Sequence, residues 1–469
     1  MAAGPLEALA GIVGADAWLV GGAVRDRALG RATADFDVVC AGPVAEIARA
    51  LGRAAGGFPF ELSETFGAWR VVAHDRSWQV DLTALDGETI TQDLARRDLT
   101  INAIAAPLRG GEPLDPFGGL VDLRNRGLRA VAPDSFARDP LRVMRLARLA
   151  CELGFDVAPE TAELARAHAP ALARVATERV FAELRRVVCA DRALDGLALM
   201  DALGATDAVL PELAALRGVQ QSRFHHLDVS EHTRAVLGEA IALERDPERL
   251  ADPGSDADAL AAHLSAPLAD GLTRAQAIRL GALLHDIAKP RTRAVTDQGR
   301  VTFMGHDELG AAMTAEMLGR LRASERLQEH VAALTRHHLR LGFLVHEMPL
   351  DRRAVYGYLR ATAPVSVDVS VLSVADRLAT RGDNAGPAIA SHLKLARQLV
   401  AEGLAWAADP PRPPVRGDVL ARKLALAPGP VIGELLAELT AASYSGEVSG
   451  VDDAVEHARE LLARRAGEG

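Results

Sequence analysis

The stretch Trp18-Leu-Val-Gly21-Gly22-Ala-Val-Arg25-Asp26, followed closely by Asp35-Phe36-Asp37, governs how the whole chain is read. A short apolar run leads into a Gly-Gly turn and then a helix start, a combination that lets backbone N–H groups and Arg25 approach a phosphate chain. Asp35 and Asp37 are spaced i, i+2 on the next expected strand, so both carboxylates share one face, where they can hold Mg²⁺ beside those phosphates. Triphosphate chemistry is the first expectation.

Working outward, 469 residues with 49% apolar composition suffice for two to four domains with real cores. There is no apolar run of about 18 residues and no basic n-region with an apolar segment behind it. The expectation is therefore neither a membrane span nor a signal peptide, and a cytoplasmic location. Cys40, Cys151 and Cys189 are odd in number and form no CxxC pair, which disfavours disulfides or a zinc-thiolate site and leaves buried thiols.

The net charge of -10 argues against indiscriminate nucleic-acid affinity. Locally the sign reverses: Arg124, Arg126, Arg129, Arg138, Arg142, Arg145 and Arg148 face only Asp134 and Asp139, an excess of five positive charges suited to phosphate.

From about residue 17 to 83, apolar segments at Trp18–Val20, Phe36–Val39, Trp69–Ala73 and Gln79–Leu82 read as strands between helical stretches Val24–Leu29 and Val44–Leu51. Beyond residue 135 the pattern is helical. Residues 244 to 272, rich in Asp, Pro, Ala and Gly, read as a loop or insertion, and Asp409-Pro-Pro-Arg-Pro-Pro414 as a break. Asp81, on Gln79-Val-Asp81-Leu, adds a third carboxylate to Asp35 and Asp37. Together the three supply the acidic cluster of a two-metal displacement, in which one cation activates the attacking hydroxyl and the other neutralises the leaving pyrophosphate.

The ordered series Leu19–Asp26, Asp35-Phe-Asp37, Asp93-Leu-Ala-Arg-Arg-Asp-Leu-Thr-Ile-Asn-Ala103, Asp115-Pro-Phe-Gly-Gly-Leu-Val-Asp-Leu123, Asp139-Pro-Leu-Arg142 and Glu178-Arg179-Val180 resembles the class II tRNA nucleotidyltransferase and bacterial poly(A) polymerase family. The resemblance spans roughly residues 17 to 190. It implies a polymerase-β-type head and tRNA, CTP and ATP as partners, with Asp35, Asp37 and Asp81 catalytic and Mg²⁺ on Asp35 and Asp37. Gly21, Gly22 and Arg25 would contact the triphosphate, and Arg97 and Asp98 the ribose and phosphates. Asp139 and Arg142, one helical turn apart, would read the base edge as a protein template, with Arg145 and Arg148 continuing along that helix. Glu178 and Arg179 would buttress it. Asp81 and Asp93 are joined by only Leu82–Gln92, where many CCA-adding relatives carry a longer flexible loop; this shortness resembles the CC-adding members.

A second series lies downstream: Glu231-His232-Thr233, His285-Asp286-Ile-Ala-Lys289, Gly305-His306, Arg336-His337-His338 and Ala375-Asp376-Arg377. Imidazoles and carboxylates drawn from several helices suit a divalent transition metal or Mg²⁺ and phosphoester hydrolysis. This half resembles the HD phosphohydrolase superfamily. On that resemblance His232, His285, Asp286 and Asp376 are ligands, His306 and one of His337 or His338 complete a second metal site, Lys289 binds substrate phosphate, and His225 and His226 are bystanders.

The expected architecture is α+β: a nucleotidyltransferase head over residues 1–130 with a small mixed sheet, an all-α neck over 131–220, an all-α HD domain over 221–390 and a helical tail over 391–469. The expected activity is template-independent addition of CMP or AMP to the tRNA 3′ end, as CCA or CC, with HD-domain phosphohydrolysis. Poly(A) synthesis, and a phosphohydrolase whose head only senses nucleotide or RNA, are the competing readings.

Overall fold

The computed structural model describes residues 4–63, 67–221, 227–251, 254–380 and 385–467. The chain divides into two compact units, Met1–Leu210 and Pro211–Gly469.

The first unit holds a six-stranded sheet built from β1 (Ala17–Val20), β2 (Asp35–Cys40), β3 (Gly57–Ser63), β4 (Ala68–Ala73), β5 (Gln79–Ala84) and β6 (Ala105–Pro107). The strand order is β3-β4-β5-β2-β1-β6. Every neighbouring pair is antiparallel except β2 and β5, which run parallel with Asp37 opposite Asp81. The helices are α1 (Pro5–Ile12), α2 (Gly22–Ala28), α3 (Val44–Ala55), α4 (Ile90–Leu94), α5 (Gly119–Asn125), α6 (Ser135–Arg138), α7 (Arg142–Leu153), α8 (Pro159–His168) and α9 (Thr177–Cys189).

One sheet face is closed by α3, which packs on β3 and β4. Their approach is close enough to require glycine: a Cβ at Gly52 would stand 2.8 Å from the Gly57 carbonyl and 3.0 Å from Pro59. Val20, Val39, Leu94, Ala103 and Ala105 form a core cluster, with Trp18 and Phe117 packed against it. Asp115 caps α5, accepting the amides of Gly119 at 2.6 Å and Leu120 at 2.8 Å. A Cβ at Gly119 would collide with the Thr100 carbonyl, so the Asp-Pro-Phe-Gly-Gly motif is the seat on which the segment 97–103 rests. Past β6, α7 and α9 pack together through Val143, Leu146, Leu184 and Val187, all buried.

The strands expected around residues 18, 36, 69 and 79 are present, and the α+β head followed by a helical body is the observed architecture. Two strands of this sheet were not expected, β3 and β6. The β3 sequence Gly-Phe-Pro-Phe-Glu-Leu-Ser carries a proline and no polar alternation, which is tolerated because β3 is an edge strand. Only three residues long, β6 is too short for a periodic signal.

The second unit is helical apart from two short hairpins, Pro267–Ala269 with Leu272–Thr273 and Ala294–Val295 with Val301–Thr302. Helix Ser366–Ala379 runs through its core, buried along most of its length. Against it pack Val229–Arg245, Arg274–Leu284, Glu325–His337 and Ala385–Ala408. Residues 244 to 272 are not a plain loop: they contain helix Ser255–Ser265 and one of the hairpins. Alanine and leucine at helical spacing outweighed the turn-forming residues there. The break at 409–414 lies between helices Ala385–Ala408 and Gly417–Leu424. The C-terminal helices close a separate core around Leu420, Leu435, Leu439 and Val455. Cys40 and Cys151 are buried and Cys189 is half-buried.

Candidate active sites

In the first unit the face of the sheet opposite α3 presents the carboxylates. Asp35 and Asp37 point to it from β2, and Asp81 from the directly paired position on β5. Gly21 turns the end of β1 into α2 with φ +68°; a Cβ there would lie 3.0 Å from an Arg97 guanidinium nitrogen and 3.1 Å from Asp37 Oδ2. A residue with a side chain would wedge apart the charges the turn brings together. Gly21, Asp35, Asp37 and Arg97 open on a cavity of about 680 Å³ that Gly22, Arg25, Asp98, Arg142, Arg145 and Arg148 also line; Asp81 stands behind Asp37, outside that lining.

Enclosure by protein pushes the Asp37 carboxyl up to about 6. Arg97 and Arg145 pull it down, while Asp35 and Asp81 push it further up. Carboxylates side by side on one face are the kind of donor a hard divalent cation uses, and a bound cation would reverse that upward shift.

The arginines are placed by ion pairs and backbone carbonyls. Arg25 grips Asp26 through Nε at 2.8 Å and donates to Asn102 Oδ1 at 2.8 Å. Arg97 leans on Asp93 at 3.2 Å. Asp98 is buried, and burial pushes its carboxyl up; Arg145, the Asn102 amide and the Leu99 N–H outweigh that and hold it low. Arg145 bridges Asp98 at 3.3 Å and Glu183 at 3.4 Å. Arg148 meets Glu183 at 2.6 Å. Arg145 and Arg148 therefore turn inward onto a buried carboxylate rather than forming a solvated face.

The expected base-reading pair stays one turn apart, the Arg142 N–H donating to the Asp139 carbonyl at 3.1 Å, but the two side chains have different partners. Arg142 opens α7, lines the cavity, and donates to the backbone carbonyls of Arg96, Arg97 and Ser135 at 2.7–3.1 Å. Asp139 lies outside the helix in extended backbone, because Pro140 follows it. Its Oδ2 accepts from Arg179 at 2.8 Å. Of the two expected buttresses, Arg179 reaches the turn through this bond; both Glu178 and Arg179 are exposed. The seven-arginine stretch divides likewise: Arg129 and Arg138 pair with Asp122 and Asp134, while Arg142, Arg145 and Arg148 line the cavity.

In the second unit five helical segments converge. Asp286 is buried at the centre. Its Oδ2 lies 3.1 Å from His285 Nε2 and 3.7 Å from His232 Nε2, and its Oδ1 lies 3.4 Å from His306 Nε2 and 4.0 Å from His338 Nε2. Asp376 Oδ1 closes on His232 Nε2 at 3.0 Å. The donors fall into two overlapping triplets sharing Asp286: His232, His285, Asp286, and Asp286, His306, His338.

The other ring nitrogens are tied to backbone carbonyls: His285 Nδ1 to Ala282 at 2.9 Å, His306 Nδ1 to Phe303 at 2.7 Å, His338 Nδ1 to Thr335 at 2.6 Å. An N–H fixed at Nδ1 leaves the Nε2 lone pairs facing the centre. Among the described residues the buried Nε2 atoms of His285 and His306 find no hydrogen-bond partner, which leaves them available to a cation. Burial pushes the Asp286 carboxyl up, but the neighbouring His285 and Lys289 hold it well below the usual range. Burial and the neighbouring His285 press His338 down to about 4, keeping it neutral and able to ligate.

His337 stands outside both triplets; its Nδ1 accepts from Arg340 at 3.1 Å. Lys289 Nζ lies 2.6 Å from Asp286 Oδ2 and donates to Gln221 at 2.6 Å. The cluster opens on a cavity of about 760 Å³ that Lys289, Phe303 and Arg377 help to line. His225 and His226 lie outside the described residues.

Against known proteins, residues 17–129 match the poly A polymerase head domain, 154–216 the family described as "Probable RNA and SrmB- binding site of polymerase A", and 229–381 the HD domain. The chain is 37% identical to an A-adding tRNA nucleotidyltransferase of Deinococcus radiodurans, over 93% of this chain and 93% of the relative. The chain belongs to the tRNA nucleotidyltransferase family. A CC-adding tRNA nucleotidyltransferase of Thermus thermophilus is 34% identical, over 94% of this chain and 92% of the relative. The fold is shared with a CCA-adding enzyme solved in complex with CTP, at a TM-score of 0.65 and 19% identity over 97% of this chain and 94% of that one. It is shared too with the Thermotoga maritima CCA-adding enzyme complexed with tRNA, at a TM-score of 0.61 and 19% identity over the same shares.

Two residues of this tRNA nucleotidyltransferase escaped the sequence reading. Arg70 donates to both oxygens of Asp81 at 2.6 Å. Glu183 is buried between Arg145 and Arg148. A helical projection carried a signal for Glu183, since it shares the apolar face of Val180, Phe181, Leu184 and Val187 on α9. Nothing local marks Arg70, whose partner is set by strand pairing.

Proposed function

We propose that this tRNA nucleotidyltransferase extends the 3′ end of tRNA with CMP or AMP taken from CTP or ATP, without a nucleic-acid template. The observation that carries the proposal is the convergence of Asp35, Asp37 and Asp81 on one sheet face against Gly21 and the Arg97 guanidinium. The terminal hydroxyl oxygen forms a bond to the α-phosphorus, the bond to the bridging oxygen breaks, and pyrophosphate leaves. Asp35 and Asp37 would hold Mg²⁺, which would supply charge neutralisation. The chain's contribution is placement. Gly21 lets phosphates approach the backbone, Arg25, Arg97, Arg145 and Arg148 compensate their charge, and Arg142 faces the cavity where a base is read. Asp139 joins it only if Arg179 releases its carboxylate.

Addition of two C residues is the favoured product. The segment joining Asp81 to Asp93 is a compact turn: Thr89 caps α4, the Glu88 amide donates to Gln92 at 2.7 Å, and a Cβ at Gly87 would strike Gln92 at 2.6 Å. The Deinococcus relative, named for adding A, supports a second reading, single A addition. Incubation with tRNA ending before its CCA, or after CC, with labelled CTP or ATP and Mg²⁺, separates them by product length. Two added C residues support the first reading, one A on the CC-ended tRNA the second, and a long A ladder contradicts both.

For the HD domain we propose metal-dependent hydrolysis of phosphoesters, with cyclic or terminal phosphates on damaged tRNA ends as substrates, which would regenerate the 3′-hydroxyl the head requires. A divalent transition metal or Mg²⁺ would sit on His232, His285, Asp286 and Asp376, with His306 and His338 completing a second position, and would supply Lewis-acid chemistry. Lys289 and Arg377 face the same cavity, where a phosphate would need cationic partners. No described helix is long and apolar enough to cross a membrane, which is compatible with a cytoplasmic place of action.

A further inference from the structure

The carboxylate face of the sheet does not end at the carboxylates. Direct pairing carries one row of side chains from Asp37 to Asp81, then to Arg70, then to Phe60 on the edge strand β3. A parallel row runs from Asp35 through Gln79 and Val72 to Phe58. Residues paired across strands project to the same side, so Phe58 and Phe60 share the face of the reacting carboxylates. The opposite side, with Pro59 and Val71, is the one α3 covers. Phe58 is 62% exposed and Phe60 45%, with Leu62 beside them at 43%. Large aromatic side chains left bare at this density on an edge strand mark a binding surface. Phe58 is also held in place: the His74 ring meets it edge-on with centroids 4.2 Å apart.

Direction along the row identifies the occupant. On the β1 side of Asp37 lie Gly21 and the Arg97 guanidinium, the surroundings of a triphosphate. On the other side come Asp81, its partner Arg70, and then the phenylalanines. An acceptor strand that brings its 3′-hydroxyl to Asp81 has the β3 side open to it, because the β1 side is taken by the incoming nucleotide. Phe60 lies two strand spacings from Asp81, about 10 Å, the reach of the last one or two nucleotides before the reacting hydroxyl. Unpaired bases offer flat faces of any sequence, and aromatic side chains are what proteins stack against them.

We propose that Phe58 and Phe60 form a stacking platform for the unpaired 3′-terminal bases of the acceptor RNA. The inference rests on the proposed tRNA 3′-end extension. Its test is steady-state kinetics with tRNA lacking its last nucleotides, comparing the wild type with Phe58→Ala, Phe60→Ala and Phe60→Trp. Each enzyme is assayed with an intact acceptor and with one whose terminal or penultimate base is abasic. Phe60→Ala should raise KM for the RNA about ten-fold and leave KM for CTP unchanged, and Phe60→Trp should restore it. The abasic acceptor should cost the wild type a similar factor and add nothing further to the Phe60→Ala loss. An unchanged RNA KM with normal incorporation, or abasic and alanine effects that multiply, would overturn the platform alone. A change of oligomeric state in Phe58→Ala on sedimentation would assign the stripe to a second copy of the chain and overturn it as well. No incorporation into tRNA by the wild type would overturn the extension activity and the platform with it.

Discussion

Arg70 holds Asp81 in a two-pronged ion pair, Nε to one carboxylate oxygen and NH2 to the other, each at 2.6 Å. The third carboxylate of the head is thereby fixed in the plane of its partner's guanidinium, on the strand beside Asp37. Arg70→Gln should lower kcat for nucleotide addition on the order of 10²-fold while leaving KM for CTP near the wild-type value, because the change misaims a carboxylate rather than removing a nucleotide contact. Steady-state kinetics checks this. A rise in KM for CTP with kcat intact would assign Arg70 to the nucleotide.

Gly21 adopts φ +68°, with Asp37 and Arg97 within 3.1 Å of where a Cβ would stand. Gly21→Ala should cost about 1 kcal/mol in stability from the left-handed backbone and lower kcat/KM far more than that figure suggests, since the methyl group enters the phosphate approach. Chemical denaturation and kinetics on the same preparation separate the two effects.

Glu183 neutralises two guanidinium groups at once, in a pair with Arg148 whose side chains are only 9% and 11% exposed. Replacing it with alanine leaves both cations enclosed without their counter-charge, so Glu183→Ala should destabilise the first unit by roughly 3 kcal/mol. A Tm shift under about one degree would show that water reaches Arg145 and Arg148 more freely than this packing implies.

In the HD domain, adjacent histidines have opposite surroundings. His338 Nε2 faces Asp286, whereas His337 bonds to Arg340. Titration with Mn²⁺ followed by calorimetry should show weakened or lost binding at one position in His338→Ala and wild-type stoichiometry in His337→Ala. Equal loss in both would place the second cation elsewhere.

Acid should weaken the second unit through a buried cluster remote from the metal triplets: Asp368, with His263 at 2.9 Å, Arg274 at 2.7 Å and His330 at 3.4 Å. Burial presses His330 down to about 4, with Arg274 and His263 pushing the same way against Asp368. A histidine depressed on folding contributes its full stability above its unfolded value near 6.5 and loses it as pH falls toward 4. Burial pushes the Asp368 carboxyl up, yet the His263 hydrogen bond and Arg274 hold it low, so its stability is lost only at still lower pH. Thermal unfolding should show a falling Tm from pH 6.5 to 4, with a shallower slope in His330→Gln.

The head was legible because its motifs are local: the Gly-Gly turn, the Asp35/Asp37 alternation and the Asp93–Ala103 run each specify backbone within a few residues. The residues of the HD cluster were legible as types in order, but His337 and His338 could not be told apart, since one residue of helical rotation separates a ring facing Asp286 from an outward one. The one-turn spacing of Asp139 and Arg142 was legible, but not that Pro140 leaves Asp139 in extended backbone outside α7 with Arg179 on its carboxylate. Arg70, Phe58 and Phe60 acquire meaning only through strand register, which the sequence of an edge strand does not specify.

Transfer of labelled CMP to tRNA lacking its CCA, measured for the wild type, Asp37→Asn and His285→Ala, tests the head site most directly. The wild type and His285→Ala should extend the RNA by two nucleotides, and Asp37→Asn should extend none. Extension by Asp37→Asn, or its loss in His285→Ala with the fold intact, would contradict an active site built on the Asp35, Asp37 and Asp81 face.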